Sequence, residues 1–125
     1  MLKVLLLIGS GSFLGGIARF LLSNFIKNSV LSAFPFGTFA VNILGCFLIG
    51  LFYGLSGRTA FIGPELRTFL TVGFCGGFTT FSTFANESVT LLKGGSVFYF
   101  AAYIGASVFL GVLAAYGGNL VTRLV

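Results

Sequence analysis

The sequence has very little charge. Only 7% of its 125 residues are Asp, Glu, Lys or Arg, whereas a soluble domain carries about 25%. The chain also has no histidine and only two cysteines, Cys46 and Cys75, which do not form a Cys-x-x-Cys pair. A tightly bound transition metal therefore has almost no ligands here. The composition also argues against a soluble catalytic domain.

Hydrophobic residues make up 57% of the chain and fall into four long runs, at residues 4–26, 36–57, 66–92 and 95–122. Each run exceeds the roughly 20 residues that a helix needs to cross the hydrocarbon core. Lipid cannot satisfy backbone polar groups, so each run is expected to be a helix. The alternating short segments of a membrane barrel are absent. The sequence therefore predicts an all-α membrane protein, one domain over residues 1–125 with four transmembrane helices.

The basic residues are scattered at the ends of the runs and form no patch, which argues against a nucleic-acid partner. With a cytoplasmic N-terminus, that side has Lys3, Arg58, Arg67 and Arg123, and the other side has Lys27 and Lys93, together with Arg19 if its side chain reaches toward that end. A count this even sets orientation weakly, or lets the chain insert in both directions. Insertion in both directions would allow two copies to pair antiparallel.

Glycines recur at four-residue spacing within the runs. Such pairs lie on one helix face and let neighbouring backbones approach closely, so we expect them to serve packing. The pairs are Gly11 and Gly15, Gly50 and Gly54, and Gly73 and Gly77. A further pair, Gly94-Gly95, separates the last two runs and predicts a hairpin there.

Residues 73–84 read GFCGGFTTFSTF and are the least ordinary part of the chain. Gly76-Gly77 followed by Thr79-Thr80 is a poor continuous helix, since each glycine costs about 1 kcal/mol relative to alanine. A third helix broken at this stretch would free backbone groups that lipid cannot satisfy, so an ion, water or a partner must do so. Carbonyl oxygens turned inward there suit a hard cation such as Na⁺.

Phe81 and Phe84 follow this stretch and share one helix face, with the hydroxyls of Ser82 and Thr83 beside them. An aromatic ring has a negative face and a positive edge. Rings presented edge-on could accept a small anion, with hydroxyl and amide donors replacing its water. The alternative is that the two rings only pack, which is the ordinary role of phenylalanine in such a chain.

Five other polar residues within the runs are candidates for a functional role. Asn42 is either a hydrogen-bonding link between helices or a donor that lines a path. Arg19 either reaches to the membrane interface or charges a vestibule wall. Glu87 either pairs with a distant Arg or Lys or is protonated. Tyr103 and Ser107 place two hydroxyls on one face of the fourth run, unless Ser107 bonds the carbonyl four residues back.

With these residues laid out, the sequence resembles the fluoride channels of the Fluc (CrcB) family. The resemblance rests on three blocks: GSFLGGIARF at 11–20, PFGTFAVNILGCF at 35–47 and GFCGGFTTFSTF at 73–84. The third block is the most specific. Two departures are small, namely Phe39 where leucine is frequent and Gly111 in the polar face of the fourth run.

The resemblance implies a dual-topology, antiparallel homodimer with two pores, which exports fluoride passively across a bacterial plasma membrane. It also implies a structural Na⁺ at the dimer interface, held by backbone carbonyls of Gly76 and Thr79. A vestibule role is implied for Arg19. The implied fluoride path comprises Phe81, Phe84, Asn42, Ser82, Thr83, Tyr103, Ser107, Thr38 and Glu87.

Two other functions fit a short four-span chain. A small multidrug exporter needs a membrane-embedded carboxylate in its first span, where this chain has Arg19 and no acid. A scaffold subunit would explain the glycines but not the hydroxyls beside them. The residues alone predict a helical membrane dimer with an ion-binding break and a donor-lined path. The choice of fluoride over chloride rests on the resemblance.

Overall fold

A computed structural model describes residues 1–58, 60 and 62–124. Residues 59 and 61, within the predicted connection Gly57–Glu65, and residue 125, the end of the predicted domain, lie outside this description. The described residues form helices and connections without strands. The elements are α1 (Leu2–Ser29), α2 (Phe36–Arg58), α3 (Pro64–Thr68), a π-helical segment (Phe69–Cys75), α4 (Gly76–Phe78), α5 (Phe81–Lys93) and α6 (Val97–Thr122).

Helices α1, α2 and α6 have the length and composition of membrane spans. They contain 28, 23 and 26 residues, and each is apolar enough to cross a bilayer. They overlap the first, second and fourth hydrophobic runs. The chain is therefore an α-helical, multi-pass membrane protein, as its composition predicts.

The third run is not one continuous helix. It comprises α3, the π-helical segment, α4 and α5, with extended backbone at Thr79 (φ −87°, ψ 158°) and Thr80 (φ −149°, ψ 116°). The glycine pair itself stays helical, with Gly76 at φ −61° and ψ −37°. The extended residues are therefore the threonines that follow the pair, because β-branched residues adopt extended backbone readily. We call Thr79 and Thr80 the link.

Glycines bring α1 into backbone contact with the π-helical segment and α4. A Cβ on Gly11 would lie 2.8 Å from the Cα of Gly73, and a Cβ on Gly77 would lie 2.6 Å from the carbonyl oxygen of Ser12. On the other side of the molecule α2 packs along α6, where Gly50 contacts the backbone of Ala115. The predicted packing role of these glycines is confirmed.

A tight turn joins α5 to α6. Gly95 has a φ of +81°, in the left-handed region that side chains disfavour. No atom lies within 4 Å of a Cβ built there, so the residue is needed for its conformation and not for space. The predicted Gly94-Gly95 hairpin is confirmed.

The interior of a single chain is small. Among the described apolar residues, those buried are Val41, Cys75, Phe78, Leu91 and Tyr103. Many large apolar side chains on α1, α5 and α6 are exposed instead, as is expected where lipid or another membrane helix covers them.

Candidate functional site

Asn42 of α2 holds the link in place. Its side-chain amide donates to the carbonyl oxygen of Thr80 at 3.1 Å, and the Thr80 amide donates to Asn42 Oδ1 at 2.9 Å. Asn42 therefore joins two helices, as one of its two predicted roles requires. The amide nitrogen has a second N–H, for which the described residues provide no hydrogen-bond acceptor.

Thr80 also begins α5. Its hydroxyl oxygen accepts from the Thr83 amide at 3.3 Å, which makes it the N-cap of that helix. The two hydroxyls lie 3.1 Å apart and are hydrogen-bonded as well. Such a cap satisfies an amide at the first turn that has no partner within the helix. The sequence signal for this cap is a threonine directly before the helix.

The other side of the link is held by α1 and by local bonds. Arg19 Nε donates to the carbonyl oxygen of Gly77 at 3.0 Å. The amide and the hydroxyl of Thr79 both donate to the Cys75 carbonyl, at 3.0 and 2.9 Å. Arg19 therefore braces α4 and lines neither of the two cavities described below. Its vestibule role stays a prediction.

The carbonyl oxygens of Gly76, Phe78 and Thr79 receive no hydrogen bond within the described part of the chain. The Thr80 amide, which would reach Gly76 in a continuous helix, bonds Asn42 instead, and the Thr83 amide, which would reach Thr79, bonds the Thr80 hydroxyl oxygen. Gly76 is exposed and Thr79 is half-buried on the surface of the single chain. Backbone oxygens beside the link are thus left without a donor from the described residues, and lipid would offer none.

A first cavity of about 680 Å³ lies between α1, the α1–α2 connection and α5. Three residues of the predicted path line it: Thr38, Thr83 and Glu87. Lys27 lines it too, although the sequence indicated only a charge at the end of a span. This cavity is the polar one of the two, with a cation and a carboxyl group in its wall.

A second cavity of about 350 Å³ lies beside the link. Four residues of the predicted path line it: Asn42, Phe81, Phe84 and Ser107; Gly76 and Thr79 line it as well. The Ser107 hydroxyl is buried and has no hydrogen-bond partner among the described residues. The alternative in which Ser107 bonds the carbonyl four residues back is therefore wrong, and the hydroxyl remains available to a cavity occupant.

A line of four aromatic rings connects the two cavities. The ring centroids of Phe34 and Tyr103 are 5.4 Å apart, those of Tyr103 and Phe84 are 4.9 Å apart, and those of Phe84 and Phe81 are 5.8 Å apart. Phe34 lines the first cavity, and Phe84 and Phe81 line the second. Phe81 and Phe84 are therefore not an isolated pair of rings.

Tyr103 is the fixed member of this line. It is fully buried, and its hydroxyl donates to Glu87 Oε1 at 3.3 Å. The predicted alternative of a pair between Glu87 and an Arg or Lys is not seen among the described residues, whose one ion pair joins Lys3 to Glu65. The carboxyl group instead accepts from a tyrosine in the wall between the cavities.

The structure thus brings together most of the residues that the sequence singled out. Arg19 and Ser82 are the two exceptions, because neither lines a cavity. Ser82 is exposed on α5. Phe34 was missed. It lies in a connection and is one of 17 phenylalanines, so nothing in the local sequence distinguishes it.

Comparison with known proteins identifies the family of this chain. The profile of one protein family, described as "CrcB-like protein, Camphor Resistance (CrcB)", matches residues 6–119. The match covers all of α2, most of α1 and α6, the link and the residues that line both cavities.

Individual relatives align over nearly the whole chain. A protein of Phocaeicola vulgatus is 54% identical over 112 residues, which cover 90% of this chain and 92% of the relative. One from Bacteroides fragilis is 48% identical over 121 residues, 94% of each chain. One from Chlorobium phaeobacteroides (strain BS1) is 46% identical over 120 residues, 96% of this chain and 93% of the relative. All three are named "Fluoride-specific ion channel FluC". This chain therefore belongs to the CrcB family.

Proposed function

We propose that this protein is a fluoride channel and not an enzyme, and that it exports fluoride from a bacterial cytoplasm by passive conduction across the plasma membrane. One observation carries the proposal: a line of aromatic rings joins two cavities, and the second of them contains unpaired hydrogen-bond donors. The names of the relatives support fluoride as the ion. The family match over residues 6–119 supports the same assignment.

The second cavity offers a dehydrated anion what it needs. Moving fluoride out of water costs several kcal/mol of hydration free energy unless hydrogen-bond donors in the protein replace its hydration shell. The unpartnered Ser107 hydroxyl and the second N–H of Asn42 are such donors. The positive edges of Phe81 and Phe84 add a weaker attraction without binding so tightly that passage stops. In the first cavity, Lys27 attracts an anion and Thr83 and Thr38 supply hydroxyls.

A second copy of the chain completes the site in this proposal. Phe81 is 79% exposed in the single chain, and Gly76 is exposed beside it. If lipid covered this face, the carbonyl oxygens near the link would have no hydrogen-bond donor, and acyl chains would fill the second cavity. A homodimer that buries this face removes both costs. Two copies would then carry two fluoride paths.

The two copies are proposed to be antiparallel. The near-even distribution of Lys and Arg between the two sides of the membrane supports insertion in both directions. A cysteine added after the C-terminus should then react with an impermeant reagent from either side of the membrane. Labelling from one side only, in all molecules, would contradict dual topology.

A structural Na⁺ at the dimer interface is proposed as well. The residues fit such an ion, because the Gly76 and Thr79 carbonyl oxygens are free of hydrogen bonds within the described part of the chain. Unwound backbone carbonyls are the groups that hold Na⁺ in other membrane proteins. The bound ion would supply positive charge between carbonyl dipoles of the two copies. Thr79→Ala is expected to be mild, because the backbone oxygen survives the substitution.

Removal of Na⁺ should loosen the dimer. Replacing Na⁺ with N-methylglucamine throughout purification is expected to shift the protein toward the monomer in size-exclusion chromatography, with restoration when Na⁺ returns. The measurement reads assembly and does not depend on conduction. An unchanged dimer fraction after exhaustive exchange would contradict the Na⁺ site.

Fluoride efflux from liposomes tests the function directly. Purified protein in vesicles loaded with potassium fluoride should release fluoride to an electrode when valinomycin balances the charge, and empty vesicles should not. Vesicles loaded with potassium chloride provide the matched control for the ion. Equal release of chloride would overturn fluoride selectivity. Absence of release from vesicles that contain assembled protein would favour a scaffold role.

A further inference from the structure

Phe34 is a residue of the α1–α2 connection with four aromatic neighbours. Its ring centroid lies 4.7 Å from that of Phe36, 5.6 Å from Phe39, 5.9 Å from Tyr99 and 5.4 Å from Tyr103. The contacts with the last three are edge-on, the geometry that aromatic pairs favour. Phe34 also lines the first cavity. One side chain in a connection therefore touches both the cavity and the buried end of the aromatic line.

The connection holds Phe34 in a defined position. The Phe34 amide donates to the Ser32 hydroxyl oxygen at 3.2 Å, and the Phe34 carbonyl accepts from the Phe36 amide at 2.9 Å. Pro35 lies between Phe34 and Phe36, and its ring fixes its own φ angle. The turn is thus closed by hydrogen bonds on both sides of Phe34, although the connection as a whole has no regular structure.

We propose that Phe34 is a positioning residue for ion passage, which fixes the Tyr103 hydroxyl on Glu87 and closes the first cavity over the Tyr103 ring. The proposal rests on the proposed channel function. Tyr103 is clamped by Phe34 from the connection, by Phe39 from α2 at 6.5 Å and by Phe84 from α5 at 4.9 Å. Of these three rings, Phe34 alone lines the first cavity. It is therefore the one that separates Tyr103 from the contents of that cavity.

Removing the Phe34 ring should change conduction without removing any polar group. In Phe34→Ala, Tyr103 gains room to turn, and its hydroxyl loses its fixed direction toward Glu87. Fluoride efflux per assembled dimer should fall by about fivefold, the rate equivalent of about 1 kcal/mol for one misaligned hydrogen bond. The ratio of fluoride to chloride efflux should fall as well, which a purely structural role would not produce.

Three companion variants make the test decisive. Phe34→Tyr keeps the ring and should conduct within twofold of the parent, whereas Phe34→Leu keeps apolar volume without a ring and should remain impaired. Tyr103→Phe removes the hydroxyl through which Phe34 acts, so adding Phe34→Ala to it should cause little further loss. Phe25→Leu is the matched control. Phe25 lies near the C-terminal end of α1, where the connection begins, is 69% exposed and lines neither cavity.

Several outcomes would overturn the proposal. Parent-like efflux and selectivity in Phe34→Ala would do so, as would full additivity with Tyr103→Phe or failure of Phe34→Tyr to conduct. Failure of every Phe34 variant to assemble would show that the residue serves folding instead. If the parent itself passes no fluoride, the proposed function fails and this proposal with it. If the parent conducts and the variants match it, only the role of Phe34 fails.

Discussion

Helices α4 and α5 are separated by two residues and are held in opposite ways. The α4 side meets α1 backbone to backbone, through glycines that leave no room for a side chain. The α5 side exposes Phe81, borders both cavities and depends on side-chain hydrogen bonds at its first turn. The first arrangement fixes the position of the link, and the second leaves polar and aromatic groups at the cavities through which we propose that the ion passes. Rigid packing and the proposed ion path are thus divided within one hydrophobic run.

The largest expected effect lies on the α4 side. In Gly15→Ala the new Cβ would contact the Phe74 carbonyl oxygen and lie 2.9 Å from the Phe78 amide nitrogen, both of them backbone atoms. The free energy of unfolding should fall by about 3 kcal/mol, because backbone cannot move aside as a flexible side chain can. The loss of folded dimer can be measured by size-exclusion chromatography after stepwise heating.

Gly16→Ala provides the matched control at the next position of the same helix. No atom lies within 4 Å of a Cβ built on Gly16. This variant should change stability by no more than about 1 kcal/mol, and in the favourable direction, because alanine is the better helix former. Equal stability of Gly15→Ala and Gly16→Ala would show that the glycine contacts do not fix α4 against α1.

The next largest effect concerns the link itself. Asn42→Ala leaves the amide and the carbonyl of Thr80 unpaired, which costs about 1–3 kcal/mol for each group that stays buried. Both thermal stability and fluoride efflux should fall. Asn86→Ala is the control, since Asn86 is exposed on α5 and its side chain forms no hydrogen bond within the described residues. Equal melting temperatures of Asn42→Ala and Asn86→Ala would show that the hydrogen bonds of Asn42 do not hold the link in place.

On the α5 side, Phe81→Leu should affect conduction more than folding. The ring is 79% exposed in the single chain, so its own chain loses little packing. Loss of the ring edges should slow fluoride efflux at least tenfold, which corresponds to about 1.4 kcal/mol in the barrier. Methionine, polarisable and flexible, should restore part of the rate.

Phe98→Leu is the control for that experiment, because Phe98 is also 79% exposed but lies on α6 away from both cavities. It should conduct like the parent. Parent-like efflux in a well-assembled Phe81→Leu dimer would refute the ring-edge mechanism and would assign Phe81 to packing.

The smallest effect is expected at the ion pair between Lys3 and Glu65, at 2.7 Å. Both side chains are more than half exposed. Such pairs contribute less than about 1 kcal/mol and are screened by salt. Lys3→Met should leave the melting temperature nearly unchanged at low and at high salt. A large fall in the melting temperature at low salt but not at high salt would show that the stability of the protein also depends on this ion pair.

Much of the fold follows from hydropathy and glycine spacing. The extent of α1, α2 and α6 could be predicted because each is a long apolar run, and the left-handed turn at Gly95 because only glycine suits it. The π-helical segment could not be predicted. Its sequence FLTVGFC is ordinary for an α-helix, and nothing in it indicates the wider winding.

The site was predictable as a set of residues but not as an arrangement. Hydroxyls and an amide in apolar runs stand out, because each is costly in lipid without a partner. Which partner each one takes depends on contacts between distant positions, as with Asn42 and Thr80, 38 residues apart. The role of Phe34 is less visible still, since an apolar ring in an apolar chain gives no local signal.

The π-helical segment Phe69–Cys75 has a consequence for insertions and deletions in this chain. A π-turn accommodates one residue more than an α-turn, and one residue corresponds to about 100° of rotation around an α-helix. If the whole segment wound as an ordinary α-helix, Gly77 would turn away from Ser12 although the amino acids of α4 stayed the same, and the loss of one residue from the segment would cancel that rotation. The tight seam against α1 thus depends on phase as much as on composition. We therefore expect the chain to tolerate the loss of one residue from this segment more readily than the loss of one residue from a regular α-helix such as α2.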